Sequence, residues 1–216
     1  MTTESLVPSL HPLDKNFVGP KPIEEAPPSV FRELEAYDNL IKQRKRNGHG
    51  SYLTFDGSKN GVHIYSRGIN QLTQKLPAIV DGLYSYDVPH GTMLVGELFV
   101  DVNGFDDLGK FGAIARSGVE RAVVLQENNP VQLRVFNIVM HKGKPVLHYP
   151  YQDRFDILQE LFAKNASPIA GVIEPLEMSF DNACEEVKRR NWEGLVLYSK
   201  DGTSTFRMDG AQELPP

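Results

Sequence analysis

The sequence predicts an α+β domain in which antiparallel sheets are flanked by helices. Three observations carry this. Ser51–Phe55 and Val62–Ser66 are rich in strand formers and are separated by Asp56–Asn60 (Asp-Gly-Ser-Lys-Asn), a turn signal, so the pair reads as a hairpin. Two further strand patterns, Met93–Val100 and Val131–Met140, are long, and the second runs into a turn at His141–Lys144 containing Gly143. Helical patterns are scattered between the strands and do not alternate with them regularly, which points away from a parallel βαβ sheet.

The elements follow in chain order. Residues 1–28 hold six prolines (Pro8, Pro12, Pro20, Pro22, Pro27 and Pro28) and read as an extended N-terminal arm, leaving 29–216 as the folded domain. A short helix is expected from Pro28 to about Tyr37, with Ser29 near its start and Phe31 and Leu34 three apart. Besides the four strands named, Val146–Tyr149 and Gly194–Tyr198 read as strands. Helices are expected at Pro77–Leu83, Asp106–Ala115, Arg154–Ala163 and Phe180–Arg190. Phe155, Leu158 and Phe162 line one side of the third. Phe180, Ala183, Cys184 and Val187 make a stripe spaced three and four on the last. Both stripes read as core.

Composition narrows the class. The 216 residues are 40% hydrophobic and 24% charged, ordinary values for a globular chain. A single cysteine, Cys184, excludes a disulfide framework or four-cysteine zinc site within the chain and fits a reducing compartment. No apolar run approaches the roughly 18 residues of a membrane span. The N-terminus lacks a basic start followed by an apolar stretch. A cytoplasmic or nuclear, monomeric protein without membrane contact is expected. The net charge of −5 argues against tight DNA binding by this chain alone, although a local basic patch can sit on an acidic body.

The candidate chemistry centres on Lys45-Arg46-Asn47-Gly48. Alone, this K-x-N-G also reads as a basic turn, since Asn-Gly supplies backbone angles other residues avoid. Downstream stand Ser66-Arg67-Gly68, Gly96-Glu97-Leu98, Arg134-Val135-Phe136-Asn137, Arg154 and Trp192-Glu193-Gly194-Leu195-Val196-Leu197. Their order and spacing across residues 40–200 resemble the motif series of the covalent nucleotidyltransferases: ATP-dependent DNA ligases, RNA ligases and mRNA capping enzymes.

The resemblance implies an ATP-grasp-like nucleotidyltransferase fold and a lysine that attacks the α-phosphate of ATP, expelling pyrophosphate. That lysine is Lys45. An ordinary lysine amine is neutral in about one molecule in a few thousand at pH 7. A nucleophilic lysine therefore needs desolvation or nearby positive charge, and Lys42, Arg44, Arg46 and a bound metal are the candidate sources. If the stretch is extended, Arg44 and Arg46 point away from the Lys45 face. The resemblance also implies nucleotide contacts from Arg67, Glu97, Phe136, Asn47 and Gly48, with Phe136 stacked on the adenine. It implies Mg²⁺ held by Glu193 and Glu97. The partner it implies is a nicked nucleic acid with a 5′-phosphate. DNA is favoured over RNA by the Ser66–Ile79 run and the Phe136 to Arg154 region. An RNA ligase is the nearest rival, a GTP-using capping guanylyltransferase a more distant one, and a non-catalytic nucleotide- or partner-binding module the rival of another class.

Four departures from the family pattern stand out. Gly50 occupies a position where DNA ligases often carry arginine. Asn47 and Asn137 replace aspartates common in the family. After Glu-Gly-x-Val, the family continues to two lysines in a K-x-K; here Lys200 and Arg207 are the only cations left. The chain is therefore expected to end before that motif and before any OB-fold domain.

Overall fold

The computed structural model describes residues 24–57, 61–163 and 167–209. Most of the proline-rich arm, residues 1–23, lies outside the described residues. Its last residues pair with the body: Glu24 and Phe206 form a parallel bridge, with the Glu24 N–H donating to the Thr205 carbonyl at 2.8 Å.

The chain builds two sheets. The smaller has the order β1 (Leu40–Lys45), β9 (Gly194–Ser199), β10 (Thr205–Asp209), all antiparallel. Helices α1 (Pro28–Ala36) and α6 (Phe180–Arg190) pack on its outer side. Their core joins Phe31, Phe180, Ala183, Cys184 and Val187 to Leu195, Leu197 and Met208 of the sheet. The expected stripe on α6 is therefore core, and its ends are set locally. Ser179 caps the first turn by accepting from the Asn182 N–H, and Asn191 closes the last in the left-handed conformation.

The larger sheet runs β3 (Val62–Ser66), β2 (His49–Phe55), β4 (Thr92–Val102), β6 (Val131–His141), β7 (Lys144–Pro145), with β5 (Phe105–Asp106) on β4 and β8 (Ala170–Val172) parallel to β6. One face carries the main core, where Leu53, Ile64, Leu94, Leu98, Leu133, Val135 and Ile138 meet α2 (Pro77–Tyr84), α3 (Leu108–Arg116), α4 (Val119–Asn128) and α5 (Tyr151–Phe162). Tyr151 of α5 bridges the two sheets. Its ring stacks on Tyr198 of β9 at 3.6 Å and 4°.

Three expectations need correction. Val146–Tyr149 is not a strand: β7 ends at Pro145, and Tyr149 N–H closes a turn on the Val146 carbonyl at 2.9 Å. Proline at 145 has no N–H to extend a ladder. The helix expected from Arg154 begins earlier, at Tyr151, with Pro150 in the N-cap position and no side-chain cap. The helix expected from Asp106 begins at Leu108: Asp107 caps it through the Lys110 N–H, and Asp106 belongs to β5.

Candidate active site at Lys45

Lys45 is the last residue of β1, at the edge between the sheets. Leu40–Lys45 is extended, so Arg44 and Arg46 leave the lysine's face as expected for a strand. Both guanidiniums reach the nearly buried carboxylate of Asp106, at 3.1 and 2.9 Å. Arg44 also lies over the Trp192 ring and Arg46 over Phe99. The Asn47 N–H donates to the same Asp106 at 3.0 Å. Asp106 thus anchors the whole Arg44–Asn47 turn. Lys42 is paired to Glu35 at 2.7 Å. The three cations expected to act on Lys45 are each matched to a carboxylate elsewhere.

What surrounds the Lys45 amine is negative. Its Nζ is paired with the Glu193 carboxylate and lies 3.3 Å from Asp209 Oδ1. Glu97 is close enough for its charge to interact with Lys45, Glu193 and Arg67, and it accepts the Gly48 N–H. Burial dominates at Glu97. It lifts that carboxyl to about 7; neighbouring Glu193 adds to the rise, while Arg67, Lys45 and the Gly48 N–H oppose it.

Glycines allow this close assembly. A Cβ on Gly48 would run into the Leu98 carbonyl of β4, and one on Gly194 into the Met208 carbonyl of β10. Gly50 has a specific use. The Arg67 guanidinium lies over its Cα, with Nη2 3.1 Å from where a Cβ would stand, and Arg67 N–H donates to the Gly50 carbonyl at 2.9 Å. A Cβ at position 50 would press on the Arg67 guanidinium.

Phe136 lies on the same sheet face, opposite the Val95–Gly96 step of β4. With Tyr52 and Leu147 it is partly buried against Met93, Val95, Val139 and Met140, an apolar surface facing away from the main core. Val95 and Glu97 share that side of β4. The structure therefore brings Lys45, Glu193, Glu97, Arg67 and Gly48 together and places Phe136 on the adjoining apolar surface. Asn47 is seen only through its N–H on Asp106. Sequence reasoning missed Asp106 and Asp209. The signal for Asp209 was the alternation Thr-Phe-Arg-Met-Asp following Glu-Gly-x-Val.

The residues fit the groups implied. Glu193, paired with the amine, and Glu97, raised by burial with Glu193 adding to the rise, offer hard oxygens whose charge a small divalent cation would relieve. Among the described residues no group of three or more His, Cys, Asp or Glu stands ready for a metal. A hollow of about 720 Å³ lies elsewhere, on the outer side of α6, and its Glu185–Lys188 and Glu186–Arg189 linings pair among themselves.

Glu97 gives a pH prediction for the metal-free chain. Its folded-state value, about 7, lies above the ordinary 4.5. The folded state therefore takes up this proton more readily than the unfolded chain, and its contribution to stability rises as pH falls from about 7 towards 4.5. Glu97→Gln is expected to stabilise the fold by roughly 1–3 kcal/mol at pH 8 and by much less at pH 5. Urea denaturation of both proteins at the two pH values checks it. An equal effect at both would mean the carboxyl titrates normally.

Two antiparallel sheets meeting at a strand-end lysine, flanked by helices, give the fold of the nucleotidyltransferase domains of ligases. The chain belongs to the family of ATP-dependent DNA ligase domains, whose model matches residues 25–211. It is 27% identical over 161 residues to the SPbeta prophage-derived DNA ligase-like protein LigB of Bacillus subtilis, covering 74% of this chain and 54% of that protein. A DNA ligase of Thermoplasma volcanium is 25% identical over 158 residues, 68% of this chain and 26% of the relative. Among solved structures, the ligase domain of M. tuberculosis LigD superposes with a TM-score of 0.65 at 19% identity, over 88% of this chain and 60% of that one. The ATP-dependent DNA ligase of bacteriophage T7, solved with ATP, gives 0.52 at 16% identity over 88% and 68%. These structures share the fold. The chain spans about half the length of the Bacillus relative. No helix among the described residues is long and apolar enough to cross a membrane.

Proposed function

We propose that this chain is the adenylating domain of a DNA ligase and that Lys45 is the residue that takes AMP. The observation that carries the reading is the pairing of Lys45, on β1, with Glu193 at the head of the neighbouring strand. In the reaction, the Lys45 nitrogen lone pair attacks the α-phosphorus of ATP. The N–P bond forms as the bond from phosphorus to the bridging oxygen breaks, and pyrophosphate leaves with that electron pair. The nitrogen's surplus proton passes to solvent.

Arg67 would hold a phosphate or the ribose through its fork of donors. The apolar surface with Phe136 and Tyr52 would receive the base. Glu193 and Glu97 would hold magnesium. When bound, that ion offsets charge building on the α-phosphate and pyrophosphate. The complete protein would then pass AMP to a 5′-phosphate and seal a nick in DNA. RNA is the second substrate, and the DNA ligase relatives favour DNA.

The test is covalent labelling. The chain, incubated with magnesium and α-labelled ATP, should retain label through a denaturing gel; γ-labelled ATP should leave none, and GTP should substitute poorly. Label from GTP equal to that from ATP would favour a capping-type enzyme. No label with any nucleotide would favour a binding module. Phe136→Ala should weaken ATP binding by roughly 1–3 kcal/mol, the range for stacking a base on an aromatic face. Unchanged affinity by calorimetry would remove Phe136 from the site.

A further inference from the structure

We propose that Asp209 is the positioning residue for the Lys45 amine, the carboxylate that keeps it aimed when Glu193 turns to a metal. The proposal rests on the reading of Lys45 as nucleophile. Lys45, Gly194 and Asp209 form one row across β1, β9 and β10, with Gly194 in register with both. The two outer backbones stand two strand spacings apart, about 10 Å. Their side chains can meet only across a middle residue that has none. Gly194 is that residue, and the Met208 carbonyl leaves no room for a Cβ there. Over it, Asp209 Oδ1 comes within 3.3 Å of Lys45 Nζ.

Asp209 is held from behind. Arg207 Nε pairs with its other oxygen at 3.1 Å, and Arg207 Nη2 reaches Glu25 at 3.2 Å. Glu193, by contrast, stands in the bend between α6 and β9. The two carboxylates are therefore not equivalent. A carboxylate oxygen of Glu193 that ligates a cation cannot also stay on the ammonium without bringing two positive charges together. Asp209 then remains as the amine's partner. It accepts an N–H hydrogen bond and leaves the lone pair free for the α-phosphorus. The described strand that follows Glu-Gly-x-Val turns Arg207 and Asp209 to this side. Here a carboxylate aims the nucleophile.

The test compares single-turnover labelling by α-labelled ATP and magnesium with ATP affinity, in the 216-residue chain. Asp209→Asn should slow labelling about ten- to a hundredfold while ATP affinity stays within about twofold, because aim is lost and binding is not. Asp209→Glu should recover part of the rate, and the melting temperature of both variants should stay near wild type. Normal or faster labelling in Asp209→Asn, with no label in Lys45→Ala, would overturn the role of Asp209 and leave Lys45 standing. A parallel loss of affinity and of melting temperature would make Asp209 merely structural and also overturn it. A wild-type chain that takes no label overturns both readings.

Discussion

Lys45→Ala is expected to take no label from α-labelled ATP, a fall on the order of a thousandfold or more, because no other group can form the covalent bond. Lys45→Arg should fail equally, since a guanidinium stays protonated and has no free lone pair to offer. The two variants should differ in stability. Alanine leaves Glu193 and Asp209 without their shared cation, at a cost of about 1 kcal/mol for carboxylates this exposed. Arginine keeps the charge and most of that pairing. A Lys45→Arg variant that melts normally, yet carries no label, separates chemistry from structure in one comparison. Label surviving in either variant would move the nucleophile elsewhere. The nearest lysine in sequence, Lys42, is held by Glu35 at 2.7 Å, so it does not replace Lys45 without breaking that pair.

How much of this was visible in the sequence depended on whether a residue's role was local. The hairpin of β2 and β3 was legible because its turn chemistry and strand formers are contiguous. Helix α6 was legible because its stripe faces core and both caps are encoded beside it. Strand β1 was harder. Its sequence, Leu-Ile-Lys-Gln-Arg-Lys, is mostly polar, and its buried Gln43 donates to Tyr151, more than a hundred residues away. Helix α4 escaped because only Ala122 is buried, while Val119, Val123 and Val124 face outward. In the site, Lys45, Glu97 and Glu193 stood out as motif residues, each beside a glycine or near one. Asp106 and Asp209 did not. Each acts through a pairing set by sheet register, and register is a property of two strands that neither strand's sequence states.

The largest stability effect is expected at Arg154. Its side chain is only 1% exposed, and among the described residues no carboxylate pairs with it. Its guanidinium donates to Asn137 Oδ1 and to the Tyr149 carbonyl, the latter at 3.2 Å, and lies over the Tyr151 ring. Burial shifts its equilibrium towards the neutral form, with only the tyrosines opposing. Truncation to alanine removes both hydrogen bonds and opens space beside the Tyr151–Tyr198 stack, and should cost about 3–4 kcal/mol of unfolding free energy. Asn137→Asp tests the electrostatic half separately. It sets a carboxylate against the buried cation, a charge-assisted pair, and should stabilise by about 1–2 kcal/mol in wild type but not in Arg154→Ala. The effect reaches the site, because Tyr151 accepts from Gln43 of β1 and donates to the Phe136 carbonyl of β6. One phenol thus ties the strand carrying Lys45 to the strand carrying Phe136. Arg154→Ala should therefore lose labelling rate even at temperatures where it remains folded. Full labelling in a folded but destabilised variant would show that the two sheets hold their spacing without this link.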